Sequence, residues 1–307
     1  MDDLYHIPVM LEEVLEGLVV VPGELYVDCT LGGGGHSKAI LEHDARLIAM
    51  DRDQEAVSYA TERLSGYGDA VEIHHALFSQ ISVVVGSRAG SVAGVLFDLG
   101  VSSRMLDIPS RGFSYRHDAP LRMTMGLTGK NAQDVVNTAD VTELERIFRI
   151  YGEEPLARRI AHAISRMRSE RPVTLTSELA DLVEHVAGPK KPQKTKARVF
   201  QALRIYVNDE LEELERGLED TCSVLRPGGR LCVISYHSLE DRVVKDFIRR
   251  HTDPCICPPG LPVCSCGKKA DLKPVTKKPL VPAPQEVECN SRAQSARLRI
   301  AEKLETV

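Results

Sequence analysis

The stretch YVDCTLGGGGHS, residues 26–37, sets four consecutive glycines between an apolar run and a histidine. Glycine is costly inside a helix or strand because it has the most backbone freedom to lose. Four together point to a turn where something approaches the backbone too closely for a side chain. The runs around it extend the reading. ELYVDCT (24–30), RLIAMD (46–51), AVEIHHA (70–76) and VAGVLFDLG (92–100) are short and apolar, and the segments joining the first three suit helices. Strands alternating with helices predict a parallel sheet covered on both faces.

A glycine turn between a first strand and its helix suits a nucleotide-type ligand, because the backbone can come close and the helix N-terminus offers unpaired N–H groups. Asp51, ending the second strand, lies about 20 residues further on, where a carboxylate can accept bonds from ribose hydroxyls. The plainer reading of Asp51 is a helix cap, a task open equally to Asp53. The loop lacks the Gly-Lys-Ser/Thr ending of a phosphate-binding P-loop. Counted from Gly32, Ser37 stands where a dinucleotide fingerprint wants its third small residue, and polar His36 stands where pyrophosphate would press. Loop and acid together favour S-adenosylmethionine, which carries no phosphate, over a nicotinamide dinucleotide.

The rest of the chain bounds the architecture. Its 307 residues exceed what one core usually fills. Apolar residues at 43% and charged residues at 27% are ordinary for a globular protein, and a net charge of -5 gives no global nucleic-acid signal. The N-terminus shows no signal peptide and no run reaches membrane-spanning length, so a cytoplasmic location is expected. After Gly100 the strand pattern gives way to helical spacing in VTELERIFRIYG, EPLARRIAHAISRMRSE and TSELADLVEHVAG, with Thr142 and Thr176 placed to cap two of these helices. Strand patterns return with RLCVISYHS and SARLRIAEKL. The expected organisation is one α/β domain from residues 1–115 and 209–307, interrupted by a helical insertion over 116–208.

Two further features concern partners. From Lys190 to Arg204 there are six cations (Lys190, Lys191, Lys194, Lys196, Arg198 and Arg204) and no acid. The run leads into RVFQALRIYVNDEL, where Phe200, Leu203, Val207 and Leu211 form an apolar stripe, so the charge is presented beside a fixed element. Arg158, Arg159, Arg166 and Arg168 extend the patch. That arrangement suits RNA phosphates, which position a substrate without identifying a base. The second feature is CICPPGLPVCSC, in which Cys255, Cys257, Cys264 and Cys266 form two C-x-C pairs. Four thiolates could hold a structural zinc; reduced thiols are the alternative reading in a cytosol. The surrounding 253–289 reads as an irregular clip.

The motifs HIPVMLEEVLEGL, DCTLGGGGHS, AMDRD, FDLGVSS, RGFSYRHDAPLRMTM, YGEEPLARRIAHAI, FQALRIYVNDELEEL, LRPGGRLCVISYHSLEDRVVK and SARLRIAEK follow in this order. Together they resemble the bacterial 16S ribosomal RNA cytosine-N4 methyltransferase family, also called MraW, from about His6 to Lys303. The resemblance implies a Rossmann-like class I methyltransferase domain with an inserted helical domain, S-adenosylmethionine as methyl donor, and a cytidine in the decoding region of 16S rRNA in the small ribosomal subunit as substrate. Carried over by position, it places Gly34, Gly35 and His36 along the cofactor, Asp51 on its ribose, Phe78 near its adenine and Asp98 beside it at the end of the fourth strand. Met105 stands where the family's DLGVSSPQLD has a cofactor-contacting glutamine, and a thioether cannot reproduce an amide's donors. NSRAQSARLR likewise departs from the usual NPRARSAKLR at Gln294.

For such a reaction two residues are expected to act on the base. Asp98 is the first candidate acceptor for the hydrogens of a cytosine amine. His237, in SYHSLEDR, is the second, bonding the base edge or receiving a proton, while Tyr236 stacks on a flipped base. The structural reading of the same stretch is a helix start with a capping box over Ser238–Asp241. No metal ligand is assigned to the reaction, and the oligomeric state is not legible.

Overall fold

The computed structural model describes residues 8–101, 105, 108–126, 129–189, 191–257 and 265–305. The chain forms two compact units, one from residues 1–100 and 211–307 and the other from 101–210. The first cut falls at Gly100, earlier than the sequence boundary at 115. The reason is visible in RGFSY. Arg111 O accepts from Met123 N at 3.0 Å, and Tyr115 meets Phe200 edge-on with ring centroids 5.2 Å apart. Gly112 sits at φ 72°, and a Cβ there would stand 2.2 Å from the Pro120 carbonyl oxygen. The segment is therefore built into the second unit by backbone contact.

The first unit is a seven-stranded sheet in the order β3-β2-β1-β4-β5-β7-β6. Its strands are β1 (Leu25–Asp28), β2 (Arg46–Asp51), β3 (Val71–His75), β4 (Val92–Asp98), β5 (Leu225–Ser235), β6 (Leu272–Pro274) and β7 (Arg297–Lys303). β1 to β5 run parallel, and β7 runs antiparallel between β5 and β6. This is the Rossmann-like class I methyltransferase arrangement. Side chains alternate faces along each strand, so the sheet buries two separate cores. Val27, Ile48, Phe97 and Val233 belong to one core with Leu218 and Phe247. Tyr26, Leu47, Leu96 and Ile234 belong to the other with Val14 and Leu18 of α1 (Leu11–Leu18) and Ile40 of α2 (Gly35–Leu41). Runs buried on both faces explain why these strands read as nearly continuous apolar stretches.

β6 is the strand that the sequence reading passed over. It has three residues, includes Pro274 and lies at the sheet edge, where a residue without an N–H is tolerated. The segment read as an irregular clip thus contributes an edge strand and the short helix Pro284–Cys289.

The second unit contains the helices Ala132–Thr138, Val141–Ile150, Ala157–Glu170, Thr176–Ala187 and Pro192–Asn208. Two expected caps are corrected. Asp140, not Thr142, caps the second helix, its Oδ1 accepting from Glu143 N at 2.7 Å. Thr176 donates to His117 O and accepts from Ala119 N, while Glu178 receives the N–H groups of Thr174 and Leu175. The single long helix expected through Leu211 also breaks: Asp209 adopts φ 49° at the end of Pro192–Asn208. Leu211 therefore belongs to a different helix, Glu210–Val224, from the apolar stripe of Phe200, Leu203 and Val207. Buried Asn208 anchors this end, accepting from Met125 N and donating to Met123 O, both at 2.8 Å. Among the described residues, no helix is long and apolar enough to cross a membrane.

Candidate active site

Three carboxylates end three adjacent parallel strands: Asp28 on β1, Asp51 on β2 and Asp98 on β4. β1 and β4 flank the point where the strand order reverses, which is where open α/β sheets receive ligands. Asp28 is fully buried; its Oδ2 accepts from Ser37 Oγ at 2.7 Å and its Oδ1 from Thr30 N at 3.0 Å. Burial pushes its carboxyl above the ordinary range, with the charge of Asp98 adding to the effect. Sequence reasoning missed Asp28, although the rule that singled out Asp51, an acid closing an apolar run, applies to it equally.

Asp51 is partly accessible, and each of its oxygens holds a backbone N–H: Gly32 on Oδ2 and Asp53 on Oδ1, both at 2.8 Å. Its carboxyl is raised to about 6, chiefly by burial, with the charges of Asp53 and Asp28 contributing. The cap of α3 (Gln54–Leu64) is Asp53, which accepts from Glu55 N at 3.1 Å, so Asp51 is not spent on the helix. Each carboxylate oxygen has further lone-pair capacity for an incoming donor.

The four glycines divide the work. Gly34 caps α2 at φ 73°, a left-handed conformation that suits glycine, and Gly32 lies at φ 49°. A Cβ on Gly35 would meet the ring of Pro8 at 3.2 Å, so this glycine admits the N-terminal segment. At Gly32 the space is open, with only Thr30 O at 3.8 Å from a built Cβ. Arg63 donates to Gly33 O at 2.6 Å and helps to fix the turn. The run is thus explained partly by conformation and packing, with Gly32 left facing unfilled space.

Asp98 joins two elements. Its Oδ1 accepts from the Tyr236 hydroxyl at 2.7 Å, and its Oδ2 lies 3.6 Å from His36 Nδ1. Asp98 N donates to Thr30 Oγ1 at 2.6 Å, tying β4 to the turn after β1. His36 is buried, and its Nε2 meets the carbonyl of Val9 at 3.0 Å. A carbonyl only accepts, so Nε2 carries a hydrogen and Nδ1 faces the carboxylate. Burial and the neighbouring Asp98 charge raise the Tyr236 phenol well above its usual range, which keeps it a donor. Tyr236 therefore serves Asp98 through its hydroxyl, a role the stacking expectation did not contain.

His237 is the N-cap of the helix Ser238–Thr252. Its Nδ1 accepts from Glu240 N at 3.3 Å, and its Nε2 lies 3.1 Å from Glu240 Oε1. The capping box is real but sits one residue earlier than expected, with His237 replacing Ser238. Phe78 is half-buried, edge-on to Phe97 with ring centroids 5.7 Å apart. Met105 is buried in the second unit.

A glycine turn, an acid on the second strand and a third acid at the end of the fourth define a site of the Rossmann-like methyltransferase class. The sequence profile of the MraW methylase family matches residues 3–304, and the chain belongs to that family. Among its relatives, the protein named Ribosomal RNA small subunit methyltransferase H of Carboxydothermus hydrogenoformans is 52% identical over 97% of this chain and 98% of its own length. The protein of that name from Caldicellulosiruptor saccharolyticus is 48% identical over 97% and 99%. The crystal structure of an rRNA methylase from Streptococcus thermophilus aligns over 98% of this chain and 99% of that chain, with TM-score 0.42 and 14% identity.

Proposed function

We propose that this methyltransferase modifies the exocyclic N4 of a cytidine in the decoding region of 16S rRNA, cytosine-1402, within the small ribosomal subunit. The observation that carries the reading is Asp98, held at a strand end between a phenol and an imidazole beside the glycine turn. S-adenosylmethionine is the methyl donor of the family and supplies a methyl group activated by a sulfonium. The residues fit it: three clustered carboxylates favour a ligand carrying positive charge and disfavour a pyrophosphate. Asp51 would accept the ribose hydroxyls, with Gly32, Gly34, Gly35 and His36 along the cofactor and Phe78 beside its adenine. Met105 would contribute apolar contact where the family has an amide.

The cytosine amine is a poor nucleophile because its lone pair is shared with the ring. Asp98 would accept one of its hydrogens, localise the lone pair on nitrogen and take the proton released as the methyl group leaves the sulfonium, now a neutral thioether, and the new C–N bond forms. Tyr236, through its hydroxyl, fixes the orientation of that carboxylate. Orientation and placed charge are the terms such a site supplies. His237, with both ring nitrogens directed to Glu240, shapes the start of its helix, and the same Glu240 accepts from Tyr236 N. Mass analysis of 16S rRNA from a strain lacking the gene tests the reading. The methyl group at that cytidine should disappear and return with the wild-type gene; an unchanged spectrum would exclude this substrate.

The RNA-binding face is narrower than the basic run suggested. Lys196 is buried, paired with Glu184 and set over the Tyr115 ring; Arg204 pairs with Glu210, and Arg198 lies 3.7 Å from Glu154. Arg168 donates to Val136 O. These cations serve the second unit's own structure. Lys190 lies outside the described residues. Lys191, Lys194, Arg158, Arg159 and Arg166 are exposed and form the patch offered to phosphate. Reversing Lys191 and Lys194 to Glu should weaken subunit binding by about tenfold or more at low salt and make its loss with salt shallower, while cofactor affinity stays unchanged. Binding equal to wild type at every salt concentration would remove these lysines from the interface.

A further inference from the structure

The segment after the helix Ser238–Thr252 brings three thiols together. The Sγ atoms of Cys255, Cys257 and Cys266 all lie within 4.8 Å of one another, and those of Cys255 and Cys266 are 4.0 Å apart. A disulfide needs about half that separation, roughly 2.05 Å. Tetrahedral zinc, with Zn–S bonds of about 2.3 Å, sets its sulfur ligands about 3.8 Å from one another. The three sulfurs are therefore spaced for a shared ion and not for a covalent bond.

Two further observations support an ion. Ser265 N donates to Cys257 Sγ at 3.3 Å, and the Ser265 hydroxyl lies 3.6 Å from the same sulfur. Such donors favour the anionic form that a metal requires. Ile256, between two of the cysteines, is 70% exposed and so does not anchor its neighbours in a core. Short irregular stretches of this kind gain order from a metal more readily than from a core. A second group, Cys222, His251 and Asp271, is less suited. Burial pushes the Cys222 thiol up to about 12, and Asp271 is already bonded to His251 and Lys303.

We propose that Cys255, Cys257 and Cys266 form a structural zinc site that fastens the segment between the helix Ser238–Thr252 and β6. Each thiol releases a proton on binding, and the metal keeps its oxidation state throughout. Cys264 lies outside the described residues, and the fourth coordination position is not assigned to it.

The test uses the full chain purified under reducing conditions without chelator. Elemental analysis should find about one zinc per chain, and X-ray absorption at the zinc edge should count at least three sulfur ligands. The triple variant Cys255→Ser, Cys257→Ser, Cys266→Ser should lose the metal, whereas Cys289→Ser, an exposed cysteine elsewhere, should keep it. Should the triple variant not fold, wild-type protein stripped of metal and titrated with cobalt(II) gives the same answer. Sulfur-to-cobalt charge-transfer absorption saturating at about one equivalent supports the site. Metal-free wild-type protein that also gives no such absorption would overturn the proposal. So would a Cys255–Cys266 disulfide in freshly prepared protein under non-reducing mass analysis.

Discussion

Asp98→Asn should lower the turnover of rRNA methylation by about 10²–10³-fold, the range seen when one placed electrostatic group is removed from a reaction centre. Asparagine keeps the shape and can still accept the Tyr236 hydroxyl through its amide oxygen. It cannot take up the proton that leaves the cytosine amine. Single-turnover measurement with saturating S-adenosylmethionine isolates this step from binding. Tyr236→Phe serves as a graded control. It leaves the carboxylate in place but removes the bond at 2.7 Å that orients it, so a loss of about tenfold in turnover is expected with cofactor affinity preserved. If Asp98→Asn turns over at the wild-type rate in a well-folded protein, Asp98 is not the acceptor and the assignment fails.

The second large effect concerns the cofactor. Asp51→Ala should weaken S-adenosylmethionine binding at least about tenfold, because charge-assisted hydrogen bonds to ribose hydroxyls contribute roughly 1.5–3 kcal/mol each. Removal of the carboxylate also releases the N–H groups of Gly32 and Asp53, so the loss is expected to exceed the ribose bonds alone. The pH dependence gives an independent check. The Asp51 carboxyl is raised to about 6 by burial in the cofactor-free protein. Binding favours the ionised form, which accepts more bonds, so affinity should be level above about pH 7 and decline as pH falls through about 6. The decline approaches tenfold per pH unit on the acid side. Calorimetry of wild type and Asp51→Asn between pH 5 and 8 reads this directly. The variant should bind weakly and lack that slope. Equal affinity in Asp51→Ala, or the same slope in Asp51→Asn, would remove Asp51 from the ribose.

The sequence made the centre of the sheet legible because β1, β2 and β4 are buried on both faces. β1, β2 and β4 fall inside runs that announce themselves by apolar composition alone, β3 and β7 show only an interrupted pattern, and the glycine turn marks which strand comes first. β6 was hidden because an edge strand of three residues containing proline has almost no pattern to show. Caps were read wrongly where two neighbouring residues could each do the task. Asp140 displaced Thr142, and His237 displaced Ser238, since side-chain choice at a helix start depends on the chain direction entering it. Of the candidate site, the sequence singled out the loop and two of the strand-end acids. The bonds among its residues were not legible. Asp28 with Ser37, and Asp98 with His36 and Tyr236, join residues distant in the sequence, and periodicity carries no information about such pairs. The basic run shows the same limit from the other side: a charge count cannot tell Lys191, which faces solvent, from Lys196, which is buried against Glu184 and Tyr115.

The division of the chain at Gly100 and Leu211 bears on how the protein is made. β4 ends at Asp98, and β5, its parallel neighbour, begins only at Leu225. A nascent chain thus presents half a sheet with an open edge until the entire intervening segment has left the ribosome. Closing so long a loop of flexible chain costs about 4 kcal/mol in entropy by the logarithmic rule. The intervening unit is continuous in sequence and carries its own buried residues, such as Leu144, Phe148 and Leu203, so it can condense first and reduce that cost. Early order in the insertion would then shorten the interval in which β4 is exposed to pairing with other chains.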